Sequence, residues 1–553
     1  MRIYVAKEGD TLSGISKKYG IELNGLLTLN PYILSPEINI PGIHVNFPPI
    51  DKPGRVQISV PVCPFDPSSG DTLKHWIPLT SLEHMAETDY DVIIVGTGAG
   101  GGAVLRRLCE RWKNNGKRIG IIERGNLLLP THVRNIPTMT NGRFGPYFRG
   151  VSKWIGKSLP EFPGARELFA LGGRTLFWGM SAPRMDASEM TEWPVTEKEM
   201  DFYYRIAEQV MDVSNGYTKG SSFQENILNR LQYNGFPEAA GVPTPADLVP
   251  TNYGQIHSDV FWSSISALAY GLNRESFDLA INARAVEVLV ENGKTAGIKV
   301  MSLDKKPYFL KAKTVVLSGN TFETPRLLLN SGIQGRAIGH YLTNHSFLLS
   351  TVKVSRKEFP EVLGPLSVMI PQTKGRPYQL QMGGPEGYLW YQRYEQEPLQ
   401  DELSIGISAF GKVESRFENQ VYLDRSKRDE YGVPEIQVRF SYSEKDKAII
   451  NEMASALTRV VSAMGASFHT ADSRPPVCLM PPGSDYHESV TCRMGDDPAT
   501  SATNRYGQIH GVSGLYAADN SILPSIGAAN PTLTTVALST RVADYIADSE
   551  NSD

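Results

Sequence analysis

Cysteine is scarce in this chain. Only four occur among 553 residues, Cys63, Cys109, Cys478 and Cys492, and no two form a C-x-x-C pair. A disulfide framework and a zinc cage are therefore both unexpected. The opening MRIYVAKEGD lacks an apolar h-region, and no stretch offers the ~18 uninterrupted apolar residues of a membrane span. Neither a secretory signal nor a membrane anchor is expected, and the cytoplasm is the location this favours. Lys and Arg number 55 against 59 Asp and Glu, a formal charge of −4, and no segment concentrates the basic residues. Without such a block a row of phosphates cannot be neutralised, so nucleic acid is not an expected partner. Low-complexity runs are missing too. The 50 glycines and 37 prolines form no block, and 41 % hydrophobic with 21 % charged residues is a globular balance. At ~150 residues per domain, the length predicts three or four domains.

Residues 1–48 read as a self-contained βααβ unit. Tyr4-Val5 opens a strand, and Asp10 or Thr11 in GDTL can cap a helix through Gly20 on which Leu12, Ile15 and Tyr19 recur at helical spacing. A second apolar stretch covers Leu23 to Leu29, and Ile43 to Phe47 alternates as a closing strand. YVAKEGDTLSGISKKYGI, then Asn30-Pro31, then INIPGIHVNFP resemble the lysin-motif (LysM) module in order. That resemblance implies a shallow groove for N-acetylglucosamine polymers and contact with wall glycan, or a retained module serving as spacer or assembly surface. Residues 49–88, rich in proline around VPVCPFDPSSG, read as a linker.

At Asp91 the texture changes. DVIIVG is a continuous apolar strand of the buried parallel type, followed by VGTGAGGG with Gly96, Gly98 and Gly101 in G-x-G-x-x-G spacing before a helix from Ala103 to Trp112. Glycines there turn the chain tightly and let backbone N–H groups approach a pyrophosphate at the helix N-terminus. A second strand, RIGIIERG, ends in Glu123, whose carboxylate can accept from ribose hydroxyls. FDLAINARAVEVLVENGKTAGIKV reads as a strand and hairpin turning at Asn292-Gly293, and KTVVLSGNTFETPRLLLNSGI as a strand, a glycine turn and a helix. These pieces return to the nucleotide-binding domain far along the chain, a discontinuity that suits flavin better than nicotinamide.

The motifs resemble the glucose-methanol-choline (GMC) family of FAD oxidoreductases over residues 89–548. VGTGAGGG and ERG are followed in family order by GGRTLFWG at 172–179, SGNTFETPRLLLNSG at 318–332, IGHYLTNH at 338–345, HESVTCRMG at 487–495 and GLYAADNSILPSIGAANPTLTT from 514. GAANPTLT and TCRMGDDPATS have the style of the pyranose oxidase and glucoside 3-dehydrogenase branch. The fold implied is a discontinuous α/β Rossmann-type FAD domain over 89–344, with a flavin loop at 165–200, returning at 471–553. An α+β substrate domain with an antiparallel sheet and a long helix fills 345–470. Within it, aromatic GYLWYQRY at 387–394 could stack on sugar rings, pack as a loop or form a subunit contact. Carried over to this sequence, the cofactor residues are Gly96, Gly98, Gly101, Glu123, Arg124, Gly173, Thr175, Trp178, Gly179, Ala285, Val286, Gly319, Asp519, Asn520, Pro531 and Thr532. Pro531 with Thr532 is expected to present N–H groups to the flavin pyrimidine edge, and Ala285 with Val286 to meet adenine. Phe177 stands where pyranose oxidases place the histidine that tethers flavin, so the expected FAD is dissociable.

Alcohol oxidation by hydride transfer needs a base for the hydroxyl proton, and imidazole titrates near working pH. The resemblance selects His487 as that base and Asn530 as its partner, which orients the substrate oxygen. The implied activity is oxidation of a secondary hydroxyl of a sugar or glycoside to a ketone, at C2 or C3, with dioxygen or another acceptor reoxidising the flavin. Two alternatives stay open: a GMC oxidase of a non-sugar alcohol, and a glycan-binding or assembly protein with an impaired flavin domain. The second rests on Val490, which replaces the glycine of the family pattern H-x-x-G-T, where glycine would allow a positive φ or a close approach to the ring system and a β-branched side chain resists both. No metal is expected, and oligomeric state is left open, a homo-oligomer included.

Overall fold

The structure, a computed structural model, describes residues 2–49, 77–156, 159–248, 260–359, 364–385, 401–469 and 475–549. The chain divides into two compact units, Met1–His75 and Trp76–Asp553.

In the first unit, strand Arg2–Val5 pairs antiparallel with His44–Phe47, placing Tyr4 opposite Val45. Helix Leu12–Tyr19 starts where the Thr11 hydroxyl accepts from the Gly14 N–H and stops at Gly20, whose φ of 63° suits glycine. Helix Leu23–Leu29 follows, and Leu12, Ile15, Leu26 and Val45 meet in a fully buried core. Asn30 explains the Asn-Pro step. Its buried amide donates to the carbonyls of Leu26 (2.7 Å) and Asn46 (2.8 Å) and accepts from the Asn46 N–H (2.6 Å), tying the second helix to the closing strand.

Of the segment read as a linker, residues 50–76 lie outside the described part. The remainder is structured: Ser81 caps helix Leu82–Glu87, and the Thr80 hydroxyl donates to Asp278 at 2.8 Å. The first sheet of the second unit runs in the order Asp278–Ala280, Ile119–Ile122, Asp89–Val95, Pro307–Leu317, Lys294–Met301, Arg284–Glu291, with Leu515–Ala517 also on Pro307–Leu317. Pairing is parallel from Asp278–Ala280 through Pro307–Leu317 and Leu515–Ala517, and antiparallel in the hairpin that turns at Asn292-Gly293. Five strands far apart in sequence thus bring their carboxyl ends to one edge.

The helix after the glycine loop spans Ala99–Arg111, starting four residues before the expected Ala103. Gly100 to Gly102 are poor helix formers, but their lack of side chain decides the packing. A Cβ on Gly100 would lie 1.8 Å from the Ala518 carbonyl oxygen, and one on Gly101 1.9 Å from that of Gly96. The C-terminal helix Thr532–Ser549 packs against this helix.

The second sheet is antiparallel, ordered Ser467–Phe468, Ser346–Ser355, Glu402–Gly411, Tyr378–Gly384, Leu366–Ile370, Ala240–Gly241, with Cys478–Leu479 also on Ser346–Ser355. Its edges therefore draw short strands from outside 345–470. Helices Ser222–Tyr233 and Glu444–Met464 pack on it through Phe223, Ile227, Met453 and Leu457. The latter opens on a Ser443/Asp446 capping box and ends at Gly465. GYLWYQRY lies outside the described residues.

Candidate active site

A cavity of about 300 Å³ opens at the carboxyl edge of the first sheet, within the size range of ligand sites. Val95 to Gly100 form one wall, followed by Glu123 and Arg124, then Ala283 to Ala285, then Leu317 to Asn320. Gly96 sits at φ 101°, where a Cβ would strike the Ser318 carbonyl. Gly98, the N-cap of the Ala99 helix, has no side-chain cap, and a Cβ built on it meets nothing within 4 Å. A bare helix N-terminus beside open space, at a glycine the protein's own packing does not require, fits a dinucleotide pyrophosphate.

Glu123 is buried beneath this loop. One oxygen accepts from the Thr97 N–H (3.1 Å) and hydroxyl (2.7 Å), and the other from the Gly125 N–H (2.8 Å). Burial pushes its carboxyl up. Besides facing the cavity, it therefore clamps the turns after two strands. Arg124 lies over the Phe169 ring and donates to Glu323 at 3.0 Å, and Glu323 also accepts from Arg326 at 2.8 Å. These cations outweigh the cost of burial and hold the Glu323 carboxyl down to about 2.

The 173–179 segment supplies the facing wall. The Thr175 hydroxyl accepts from the Ser264 N–H (2.9 Å), the Trp178 indole donates to the Trp262 carbonyl (3.0 Å), and His132 Nε2 meets the Trp178 carbonyl (3.1 Å). Arg174 donates to the fully buried Glu488 at 2.9 Å, joining this loop to the segment that carries His487. Gly173, Gly179 and Phe177 also line the cavity.

His487 and Asn530 meet across it, Asn530 Nδ2 lying 3.4 Å from His487 Nε2. Gln379 and Gln381, two apart on strand Tyr378–Gly384 and so on one face, donate to Asn530 Oδ1 at 2.9 and 2.6 Å. Gln381 in turn accepts from the Ser181 hydroxyl at 3.1 Å. With its oxygen doubly engaged, Asn530 turns its NH₂ toward the imidazole. Burial pushes the His487 imidazolium well below its ordinary range, so the ring is neutral and keeps a lone pair on one of its two nitrogens. That places its titration lower than the near-neutral value expected of a base.

Asp519 Oδ2 accepts from the Asn320 N–H (2.9 Å) and the Thr324 hydroxyl (2.6 Å), and Asn520 donates to the Glu488 carbonyl (3.3 Å). Fifteen of the eighteen residues singled out in the sequence line the cavity. Gly101, Val286 and Pro531 do not. Gly101 serves helix packing, and the Val286 carbonyl accepts from the Asn330 amide at 2.7 Å. Pro531 corrects the expectation placed on it: proline has no N–H to offer, and its carbonyl accepts from the Thr535 N–H at 2.8 Å, leaving Thr532 alone at the cavity. Sequence reasoning missed Thr97, Arg174, His345, Gln379, Gln381 and Asp485. His345 and Asp485 stand within or beside quoted motifs, whereas the two glutamines carry only a strand-like alternation.

Val490 adopts φ 82°, so the position does demand the left-handed region that favours glycine. Its side chain is fully buried and is not part of the cavity wall. Tyr486, at φ 58°, is strained on the other side of His487.

Residues 164–347 and 415–539 match the two family models described as GMC oxidoreductase, and residues 4–45 match the LysM domain. A C-glycoside 3-oxidase of Microbacterium trichothecenolyticum is 25 % identical over 84 % of this chain and 97 % of its own length. Another C-glycoside 3-oxidase, of Arthrobacter globiformis, is 27 % identical over 68 % of this chain and 74 % of its own. Among solved structures, a formate oxidase of Aspergillus oryzae RIB40 shares the fold with a TM-score of 0.63, at 13 % identity, over 84 % of this chain and 99 % of that one.

Proposed function

This chain belongs to the GMC oxidoreductase family and carries a LysM domain, and from that premise we propose that it oxidises a secondary hydroxyl of a sugar or glycoside, at C2 or C3, to a ketone. The observation that carries this reading is the meeting of His487 Nε2 and Asn530 Nδ2 on the wall of the cavity that the glycine loop opens. Glycoside-oxidising relatives support the sugar class.

Gly96, Gly98 and the Ala99 helix N-terminus would hold the FAD pyrophosphate, Glu123 and Ala285 its adenosine, and Thr532 and the 173–179 segment its ring system. When bound, FAD supplies the hydride acceptor and passes the electrons to dioxygen or another acceptor. Phe177 offers no nucleophile beside Trp178, so binding is non-covalent. His487 Nε2 accepts the hydroxyl proton, Asn530 Nδ2 orients the oxygen that loses it, and the Gln379–Gln381 pair keeps that amide from rotating. Trp178 and Phe177 keep water from the wall they form. The LysM unit binds a glycan containing N-acetylglucosamine.

Anaerobic mixing of the FAD-loaded protein with sugars, glycosides and simple alcohols tests the reading through bleaching of the flavin. Bleaching by sugars or glycosides is expected. Bleaching by non-sugar alcohols alone would move the substrate class, and bleaching by none would leave a glycan-binding or assembly role.

A further inference from the structure

The Nδ1 of His487 points away from the cavity and meets the Nδ1 of a second histidine, His345, at 2.9 Å. One proton lies between two nitrogens, and which ring carries it decides whether His487 Nε2 holds a lone pair. The cavity end decides it. At the cavity end, the Asn530 amide turns N–H groups toward Nε2, where a second N–H would be repelled. An N–H on Nδ1 of His487 requires a lone pair on the Nδ1 of His345, whose Nε2 is buried without a hydrogen-bond partner. His345 is fully buried, and burial holds it neutral at ordinary pH, so a ring protonated on Nε2 is bare on Nδ1.

Resting on the assignment of His487 as base, we infer that His345 is a positioning residue that accepts the His487 Nδ1–H and so fixes the tautomer whose Nε2 lone pair faces the substrate hydroxyl. Asp485 also approaches that nitrogen. It lies 3.6 Å from His487 Nδ1, beyond hydrogen-bond reach, and its oxygens already accept from the Asn344 amide (3.0 Å) and the His345 N–H (2.9 Å). The Phe410 ring packs on both imidazoles, at 5.8 and 5.3 Å between centroids, and covers the pair on that side.

Replacement of His345 by Gln and by Leu separates this role from packing. Gln offers an acceptor oxygen toward His487, whereas Leu offers none. Anaerobic stopped-flow reduction of FAD-loaded enzyme by an active substrate gives the reduction rate and the substrate Kd together. For His345→Leu the rate is expected to fall about 10- to 1000-fold, the range a misplaced tautomer can reach, with Kd and FAD content unchanged. His345→Gln is expected to restore most of that loss. Wild-type rates in both variants, or equal losses in both, would overturn the inference. His487→Asn is measured alongside: a wild-type rate there would instead remove the base assignment itself.

Discussion

His487 carries the largest single effect expected of any side chain. His487→Ala is predicted to slow anaerobic flavin reduction about 10²- to 10⁴-fold, the usual worth of a general base, while FAD content stays near wild type. Retained FAD with a wild-type rate would contradict the assignment. Val490 is different in kind. Glycine there would remove strain of about 1–3 kcal/mol, but would lose about 1.5–3 kcal/mol of side-chain burial and add backbone freedom. The terms nearly cancel, so Val490→Gly is expected to shift Tm little and, because the side chain does not line the cavity, to change the reduction rate less than about threefold. A tenfold gain would instead show that valine impairs the enzyme. His132 supplies a pH test. Burial lowers its imidazolium to about 3, so the folded state binds fewer protons than the unfolded one below about 6.5. Its stabilising contribution is present above ~6.5 and is lost as pH falls toward 3. Asp485 and Glu167, both raised to about 7, act oppositely, losing stability as pH rises from ~4 through 7. Comparing wild type with His132→Gln isolates the histidine: the denaturation gap between them should narrow on acidification from pH 6 to 4, by up to ~1.4 kcal/mol per pH unit. A gap independent of pH would contradict this. The motif marked Val490 as a place for either a positive φ or a close approach, and its φ of 82° is the first of these. The Pro531 reading failed on proline's own chemistry.

Glycines within one loop divide into two kinds, and the difference predicts two phenotypes. Gly98→Ala meets no protein atom, so the variant is expected to fold and to lose FAD affinity, read as free flavin released on dilution. Gly100→Ala would drive a Cβ into the Ala518 backbone and is expected to destabilise the protein whether or not flavin is bound, read as a lowered Tm. Equal FAD affinity in wild type and Gly98→Ala would contradict the placing of the pyrophosphate. Elements with a strong period were readable from residues alone: Leu23–Leu29 is the helix expected, and the hairpin turns at Asn292-Gly293. The Ala99 helix was not, because three glycines conceal its first turn and only contact with Ala518, Gly96 and Ser264 explains them. Nor were Gln379 and Gln381, since alternation on a strand shows which residues share a face but not what that face meets. The edges of the second sheet were likewise hidden, as a two-residue strand such as Ala240–Gly241 has no period to read.

The whole molecule joins a LysM unit to a flavin-binding unit, each with its own core. If the LysM unit recruits glycan, the full chain should sediment with insoluble chitin or peptidoglycan, and a chain lacking residues 2–49 should not, while reducing its flavin with soluble substrate as fast as the full chain. Equal sedimentation would assign the LysM unit to assembly or spacing. Family membership was legible because motifs from Gly96 to Thr532 recur in order. Their convergence on one cavity was not, since it depends on Asp89–Val95 and Leu515–Ala517 both pairing with Pro307–Leu317, which is remote from each in sequence. The most direct measurement of the central claim is the anaerobic bleaching of FAD by a sugar or glycoside in wild type and His487→Ala. Rapid bleaching is expected in the first and a loss of at least about a hundredfold in the second. Equal rates in the two, or no bleaching of wild type by any sugar or glycoside, would contradict it.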